Sequence, residues 1–208
     1  MPRRLSTGID VLDRKLDGGV PKGSIVALSA PPASQAELLL YEFASARSTL
    51  YLSTDRDEAA VAEAFDRAPG LTGSPDVRRV PSDAPLDHSQ RLFRRLSEGS
   101  NLVIDAVDLL ERQEESRYRN FLNDLRNHLD NTGSVAVLHC LDGRNVSDTR
   151  DVTEHVADVV FDLHTEYSGD TVETRLAVPK FRGGRALPET IKLELAESVR
   201  IDTSRDIA

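Results

Sequence analysis

The chain has 208 residues, 39% of them hydrophobic, which is enough for one good core, so we expect a single domain over residues 1–208. Its formal net charge of −9 argues against the broadly basic surface of nucleic-acid-binding proteins, and we do not expect nucleic acid as a partner. It has no apolar run near about 18 residues and no charged-then-apolar leader, which predicts neither a membrane span nor a signal peptide.

The single cysteine, Cys140, excludes an internal disulfide framework and fits a reducing cytoplasm, where we expect the protein. Lysine is scarce among the 26 basic residues, and aspartate outnumbers glutamate. Acid excess with scarce lysine resembles the haloarchaeal proteome. In near-molar salt the Debye length is about 3 Å, so surface charge would steer partners only weakly.

Apolar periodicity and turn residues predict helices that alternate with strands, followed by a β-rich tail. The predicted helices cover residues 9–16, 36–47, 57–67, 113–130 and 151–157, with another that begins at a second capping box, Asp87-His88-Ser89-Gln90. The predicted strands cover residues 24–29, 49–53, 77–80, 101–105, 134–140, 158–166, 171–179, 190–195 and 199–201. This order predicts an α/β fold with a mostly parallel sheet flanked by helices and an antiparallel C-terminal β extension.

The stretch from Gly23 to Leu40 has the order strand, tight turn, helix, which is where P-loop proteins hold nucleotide phosphates in the form G-x-x-x-x-G-K-S/T. Laid over this sequence, that form requires Gly, Gly, Lys and Ser or Thr at Ala30, Gln35, Ala36 and Glu37, and all four are absent. The residues between are Pro31, Pro32, Ala33 and Ser34. The frame of a phosphate loop is present without its chemistry.

Each replacement has a physical cost for binding ATP with magnesium. Gln35 in a left-handed conformation would cost about 1–2 kcal/mol. The missing lysine removes a charge-assisted contact of about 1.5–3 kcal/mol. Glu37 puts a carboxylate beside the phosphates, and two like charges about 4 Å apart repel by about 4 kcal/mol at an effective dielectric near 20. We therefore expect no cofactor, and ATP with magnesium is disfavoured.

The replacement residues also read as a capping box, S-x-x-E, before the apolar run that begins at Leu38. In this interpretation Ser34 caps the helix and the carboxylate of Glu37 reaches back to fill the anion site. The alternative is that the segment is an ordinary strand-turn-helix.

Two acids follow predicted strands. Asp105 ends the run N-L-V-I-D, where a Walker B carboxylate would hold magnesium, although an acid in this position taken alone is more often a helix cap or loop residue. Asp55 lies where related ATPases have a water-activating glutamate, and it is the one weak catalytic candidate; a helix N-cap is the alternative. His139 and Cys140 predict a buried structural pair, because a zinc site would need further ligands at suitable spacing.

The segment from Lys180 to Arg185 is the chain's compact basic turn, with Lys180, Arg182 and Arg185 as candidates for binding an anion. A solvated hairpin tip is the alternative.

The segments R-L-S-T-G-I-D, G-G-V-P-K-G-S-I-V-A-L-S, Y-L-S-T-D, L-V-I-D and V-P-K-F-R-G-G together resemble the archaeal RecA/RadA-like ATPases of the KaiC and gas-vesicle-regulator type. The resemblance runs through nearly the whole chain. It implies a RecA-like core with Asp105 as the Walker B acid, and a basic turn that reaches a neighbouring subunit's nucleotide through Lys180 and Arg182. The sequence departs from the family in the phosphate loop and at Asp55-Arg56, where the family has a paired acidic motif.

Groups that act within the subunit are lost and groups that act on a neighbour are kept, which is the pattern of a pseudo-ATPase. The first hypothesis is a non-catalytic regulatory or scaffolding protein that docks on itself or on an active RecA/KaiC-like paralogue. The second is a weakly ATP-binding ATPase accessory to DNA recombination, repair or signalling. The third, direct DNA binding, conflicts with the acidic charge.

Overall fold

The computed structural model describes residues 3–71, 73–168, 170–196 and 198–201. Its helices are α1 (Asp10–Lys15), α2 (Ala36–Ser45), α3 (Glu58–Arg67), α4 (Pro85–Phe93), α5 (Asp108–Glu111), α6 (Glu115–Thr132) and α7 (Arg150–Val156). Its strands are β1 (Arg4–Leu5), β2 (Val20–Pro21), β3 (Ile25–Ala30), β4 (Thr49–Ser53), β5 (Asp76–Arg79), β6 (Asn101–Asp105), β7 (Val135–Leu141), β8 (Val159–Ser168), β9 (Thr171–Phe181), β10 (Ile191–Leu195) and β11 (Val199–Ile201). No helix within these ranges is long and apolar enough to cross a membrane.

Nine strands form one sheet in the order β11-β10-β9-β8-β3-β7-β6-β4-β5, and β1 pairs with β2 in a separate ribbon. The strands from β8 through β3 to β5 are parallel to their neighbours, whereas β8 to β11 are antiparallel. The predicted α/β fold with an antiparallel C-terminal extension is confirmed. Because β3, β4, β6 and β7 are parallel, their carboxyl ends meet at one edge, where open α/β sheets bind ligands.

Both faces of the sheet are buried at β3, β4, β6 and β7, which explains the continuous apolar runs in these parallel strands. Alternate residues of β7 point to opposite faces, since side chains alternate along a strand. Val135 and Val137 join the core under α1, α2 and α3, whereas Ala136 and Leu138 join the core under α4, α5, α6 and α7.

The N-terminal segment is fixed against α2 by a glycine that has no room for a side chain. Gly8 has φ +86, and a Cβ added there would lie 2.2 Å from the carbonyl oxygen of Glu42. Asp13 holds the same segment, since its carboxylate accepts hydrogen bonds from the Thr7 N–H and hydroxyl, both at 2.8 Å. These contacts hold the N-terminal segment against α2, the helix that follows the candidate phosphate loop.

The predicted start of α4 at the box Asp87-His88-Ser89-Gln90 is wrong. The helix begins two residues earlier, at Pro85, and its N-cap Ala84 has φ 51 and no side-chain cap. Proline is favoured in the first turn because it has no N–H to leave unsatisfied and its φ is already helical.

Candidate functional site

The carboxyl edge of the parallel strands brings together most of the predicted site residues. The β3–α2 loop leaves β3 there, Asp105 ends β6, and Asp55 lies two residues beyond β4. In the register, Asp105 pairs with Ser53 on one side and with His139 on the other. These side chains therefore occupy one short stretch of the sheet edge.

The β3–α2 loop consists of residues 31–35 and donates few backbone N–H groups. Pro31 and Pro32 have none. The N–H of Ser34 is already used, since it donates to the carbonyl oxygen of Pro31 at 2.9 Å. No residue of this loop has a positive φ, so the left-handed conformation that brings N–H groups onto a phosphate is absent from it.

The predicted capping box at the start of α2 is wrong. The N-cap is Gln35, without a side-chain cap, and the hydroxyl of Ser34 donates to the Pro31 carbonyl at 2.6 Å. Within the described ranges the Glu37 side chain forms no hydrogen bond, so its carboxylate does not fill an anion site at the helix end. The physical reason is position, because the helix begins one residue later than the box requires and Ser34 therefore lies outside the N-cap.

Gln35 instead joins the loop to the C-terminal hairpin. With its amide nitrogen turned toward that hairpin, the side chain donates to the carbonyl oxygens of Leu195 and Ala196, both at 3.0 Å. The following turn of α2 makes a second link, because Glu42 accepts a hydrogen bond from the Val199 N–H. The antiparallel extension thus holds the loop and the start of α2 in place.

Asp105 is the centre of a buried polar cluster. Its Oδ2 accepts hydrogen bonds from the Tyr51 hydroxyl at 2.6 Å and from Arg56 Nη2 at 2.8 Å, and its Oδ1 lies 2.6 Å from His139 Nδ1. Because an ionised carboxylate can only accept, His139 Nδ1 carries a proton and donates this bond. Arg56 Nη1 also donates to the Tyr41 hydroxyl at 3.0 Å. We call Tyr41, Tyr51, Arg56, Asp105 and His139 the Asp105 cluster.

The cluster keeps Asp105 charged in spite of its burial. Burial alone would raise the pKa of Asp105, but the hydrogen bonds from His139, Tyr51 and Arg56 outweigh it and hold the pKa well below its usual range. Burial and the nearby Asp105 charge raise the pKa of Tyr51 well above its usual value. The phenol therefore stays protonated and remains a donor.

Asp55 lines a cavity of about 790 Å³ beside the loop. Burial, followed by repulsion from Asp105 and Asp108, raises the pKa of Asp55. Asp55 directly precedes Arg56 in the chain, but the Arg56 side chain turns toward Asp105. The two acids that the sequence analysis named therefore have different surroundings.

The basic turn lies at the opposite edge of the sheet. Phe181 pairs with Val159 at the start of β8, and β8 is parallel to β3. The six residues of β3 span about 17 Å at about 3.3 Å per residue, so the turn cannot reach the loop of its own chain.

Two cations of the basic turn are bound to the last carbonyl groups of α7, which is a favourable position for positive charge. Lys180 Nζ donates to the carbonyl oxygens of Glu154 at 2.6 Å and His155 at 2.8 Å, and Arg182 Nη2 donates to that of His155 at 2.8 Å. Arg185 is exposed and has no hydrogen bond or ion pair with any residue that the structure describes.

Most of the Asp105 cluster is not predicted by the sequence. Arg56 stands out there only as a departure from a family pattern, His139 is predicted as a structural residue, and Tyr41 and Tyr51 are not predicted. Their signal was polar atoms within apolar runs, since Tyr51 lies in the middle of β4 and His139 near the end of β7. The described ranges contain no group of three His, Cys, Asp or Glu side chains that could hold a metal ion.

Comparison with known proteins places the chain as follows. A protein-family model described as a family of unknown function (DUF7125) matches residues 4–208. No curated protein matches the chain. Among solved structures, a KaiC-like protein (PH0186) from the hyperthermophilic archaeon Pyrococcus horikoshii OT3 matches with a TM-score of 0.77 and 18% identity, over 96% of this chain and 100% of that chain. At this identity the likeness shows the fold, which is RecA/KaiC-like.

Proposed function

Since this chain belongs to the DUF7125 family and has a RecA/KaiC-like fold, we propose that it is a pseudo-ATPase, a non-catalytic protein that regulates or scaffolds. One observation carries the proposal: both oxygens of the Asp105 carboxylate are engaged by donors from the chain itself, and one donor is the Arg56 guanidinium at 2.8 Å. In this fold that carboxylate is the Walker B-like acid. A magnesium ion would have to displace Arg56 to reach it.

The cost of that displacement supports the proposal. A hydrogen bond to a charged group contributes about 1.5–3 kcal/mol, and the lower part of that range applies because 37% of the Arg56 side chain is exposed. Magnesium also requires near-octahedral oxygen ligands and dehydrates reluctantly. The site would exchange a bound internal cation for one that must first lose water.

The β3–α2 loop supports the same conclusion from the phosphate side. Pro31 and Pro32 offer no N–H groups, and the N–H of Ser34 is used within the loop. Ala36 and Glu37 replace the cationic and hydroxyl side chains that a phosphate and its metal ion would need. The resident groups therefore do not fit ATP with magnesium, and we derive no chemical step through them.

For partners, we propose docking on a second copy or on an active RecA/KaiC-like paralogue through the basic turn. Lys180 and Arg182 are both held by α7, so the exposed Arg185 makes the contact, with the half-exposed Arg182 beside it. The turn's distance from the loop of its own chain favours action on another subunit.

Calorimetric titration with ATP and with ADP, in molar KCl with magnesium, tests the proposal. We expect no binding by the wild type, and none by the variant Gln35→Gly/Ala36→Lys/Glu37→Thr, because Arg56 and the two prolines remain. Micromolar binding by the wild type would refute the pseudo-ATPase and favour the ATPase alternative.

A second pair of variants tests whether Arg56 is the group that prevents nucleotide binding. Adding Arg56→Gln to the triple variant frees Asp105, and we expect nucleotide affinity to appear or to rise at least tenfold over the triple variant. Adding Arg79→Gln instead is the matched control, since Arg79 pairs with Asp57 on the surface and should change nothing.

Sedimentation velocity tests the partner. The full chain is run alone and with an ATP-bound RecA/KaiC-like relative, and association should weaken in Arg182→Ser/Arg185→Ser. If the chain stays monomeric and binds none of these relatives, the docking proposal is refuted, while the proposed loss of ATP binding is unaffected.

A further inference from the structure

A cavity of about 790 Å³ lies beside the β3–α2 loop. Its apolar walls come from Pro31 and Pro32 of the loop, Leu109 of α5 and Leu141 at the end of β7, and Asp55 lines it from the β4–α3 connection. Small-molecule sites are concave, are typically about 300–1,000 Å³, and combine apolar walls with a few polar groups. Pro31 and Pro32, which have no N–H groups to donate to a phosphate, thus form part of the apolar wall of this cavity.

The charges on the cavity are mixed with an acidic excess. Three carboxylates, Asp55, Asp108 and Asp142, face two guanidinium groups, Arg112 and Arg144. A triphosphate would bring several negative charges beside Asp55 and Asp142, so a ligand with a positive group suits these carboxylates better.

Some of these charges are already engaged. Asp108 accepts from Arg150 Nη2 at 3.0 Å and from the Leu141 N–H at 3.1 Å, and Arg112 Nη2 donates to the Asn145 carbonyl at 3.2 Å. The remaining carboxylates are Asp55 and Asp142, both exposed, and neither forms a side-chain hydrogen bond with a residue that the structure describes.

Asp55 is the one of the two that lies close to further carboxylates. Partial burial and the neighbouring charges of Asp105 and Asp108 raise its pKa, and Arg112 and Arg56 lower it only partly. A cation bound next to Asp55 would offset that repulsion.

We propose that this cavity binds a small organic cation, an ammonium group on an apolar body, with Asp55 as the counter-ion and the Pro31-Pro32 wall against the apolar body. The proposal rests on the proposed loss of nucleotide binding, since ATP would compete for the same edge of the sheet. The proposed site gives a binding role to a loop whose prolines cannot donate hydrogen bonds to a phosphate.

The test uses three probes of one shape: 2-phenylethylammonium, neutral 2-phenylethanol and anionic phenylacetate. Binding to the full chain is measured by chemical-shift perturbation in ¹H–¹⁵N spectra at low salt, with ATP titrated separately. We expect the ammonium probe to bind about tenfold tighter than the alcohol and the carboxylate probe to bind weakest.

Variants assign the preference to Asp55. In Asp55→Asn the tenfold preference should disappear, whereas Asp142→Asn, the matched control on the rim, should keep most of it. Leu109→Lys places an ammonium group in the cavity and should abolish binding of the charged probe. Equal affinity for all three probes, or a preference that survives Asp55→Asn, would overturn the proposal.

The ATP arm separates this inference from the proposed function. If neither ATP nor the ammonium probe binds, the cation site is refuted and the pseudo-ATPase stands. If both bind, the cation site stands and the pseudo-ATPase is refuted.

Discussion

Removing the Arg56 side chain tests whether the Asp105 cluster is held together by charge. In Arg56→Met the Asp105 carboxylate stays buried with only Tyr51 and His139 as donors. Breaking a buried ion pair by removing one partner costs about 3–5 kcal/mol. Because 37% of the Arg56 side chain is exposed, we discount this to about 2–3 kcal/mol. In a chain of this length, the loss corresponds to a fall of about 4–12 °C in the unfolding midpoint.

Urea unfolding at pH 7 in 1 M KCl measures this cost with surface pairs screened to a Debye length of about 3 Å. The control is Arg79→Met, which breaks the exposed Arg79–Asp57 pair and should cost about 0–1 kcal/mol. In an Asp105→Asn background the cost of Arg56→Met should fall by at least about 1 kcal/mol, since the charge it neutralises is gone. Equal costs for the two arginines, or no coupling to Asp105, would refute the reasoning.

Three further outcomes are expected. The pKa of Asp105 is depressed in the folded state, so the carboxylate stabilises the fold fully above the ordinary aspartate pKa of about 4, and this contribution is lost as pH falls toward the pKa of the folded state. When unfolding is measured against pH, the difference in unfolding free energy between wild type and Asp105→Asn should therefore narrow below about pH 4. Arg150→Met should cost about 3–5 kcal/mol in urea unfolding, more than Arg56→Met, because it leaves the fully buried Glu111 carboxylate unpaired, and a smaller loss would contradict this. Gly8→Ala should lower the thermal midpoint clearly more than Gly70→Ala, since both glycines have a positive φ but only at Gly8 would the new Cβ meet a backbone carbonyl, and equal shifts would refute the steric account.

The parallel strands were predictable because each is a continuous apolar run bounded by polar or turn residues. The predicted ranges 49–53 and 101–105 coincide with β4 and β6. The short elements β1, β2 and α5 were missed, since two to four residues carry no period that could be recognised. Their structure depends on contacts with the rest of the fold.

Both predicted capping boxes failed for local reasons that residue spacing does not contain. A box requires its first residue to occupy the N-cap position, from which the side chain accepts N–H groups of the first turn. At α2 the N-cap is Gln35, one residue after Ser34, and at α4 it is Ala84, three residues before Asp87. In both cases the helix begins at a different residue from the one that the spacing predicts.

The Asp105 cluster could not be predicted because it depends on which strands are neighbours. Tyr51, Asp105 and His139 are far apart in the chain and meet only because β6 lies between β4 and β7. Arg56 follows β4 by three residues, and nothing in the local sequence says whether its side chain turns inward or into solvent. The sequence analysis could place each carboxylate at the edge of the sheet but could not supply the cation that faces it.

That cation explains how a buried acid could persist without a metal ion. A carboxylate as buried as Asp105 is costly unless it is paired, so a chain that stops binding magnesium must either lose the acid or supply another positive group. On the proposal made above, Arg56 is that group, and its attraction to Asp105 now contributes to folding instead of to ligand binding. The loop changes and Arg56 would then both be needed to prevent nucleotide binding. Repair of the phosphate loop alone leaves Arg56 at the metal position. Removal of Arg56 alone destabilises the chain without restoring the phosphate site.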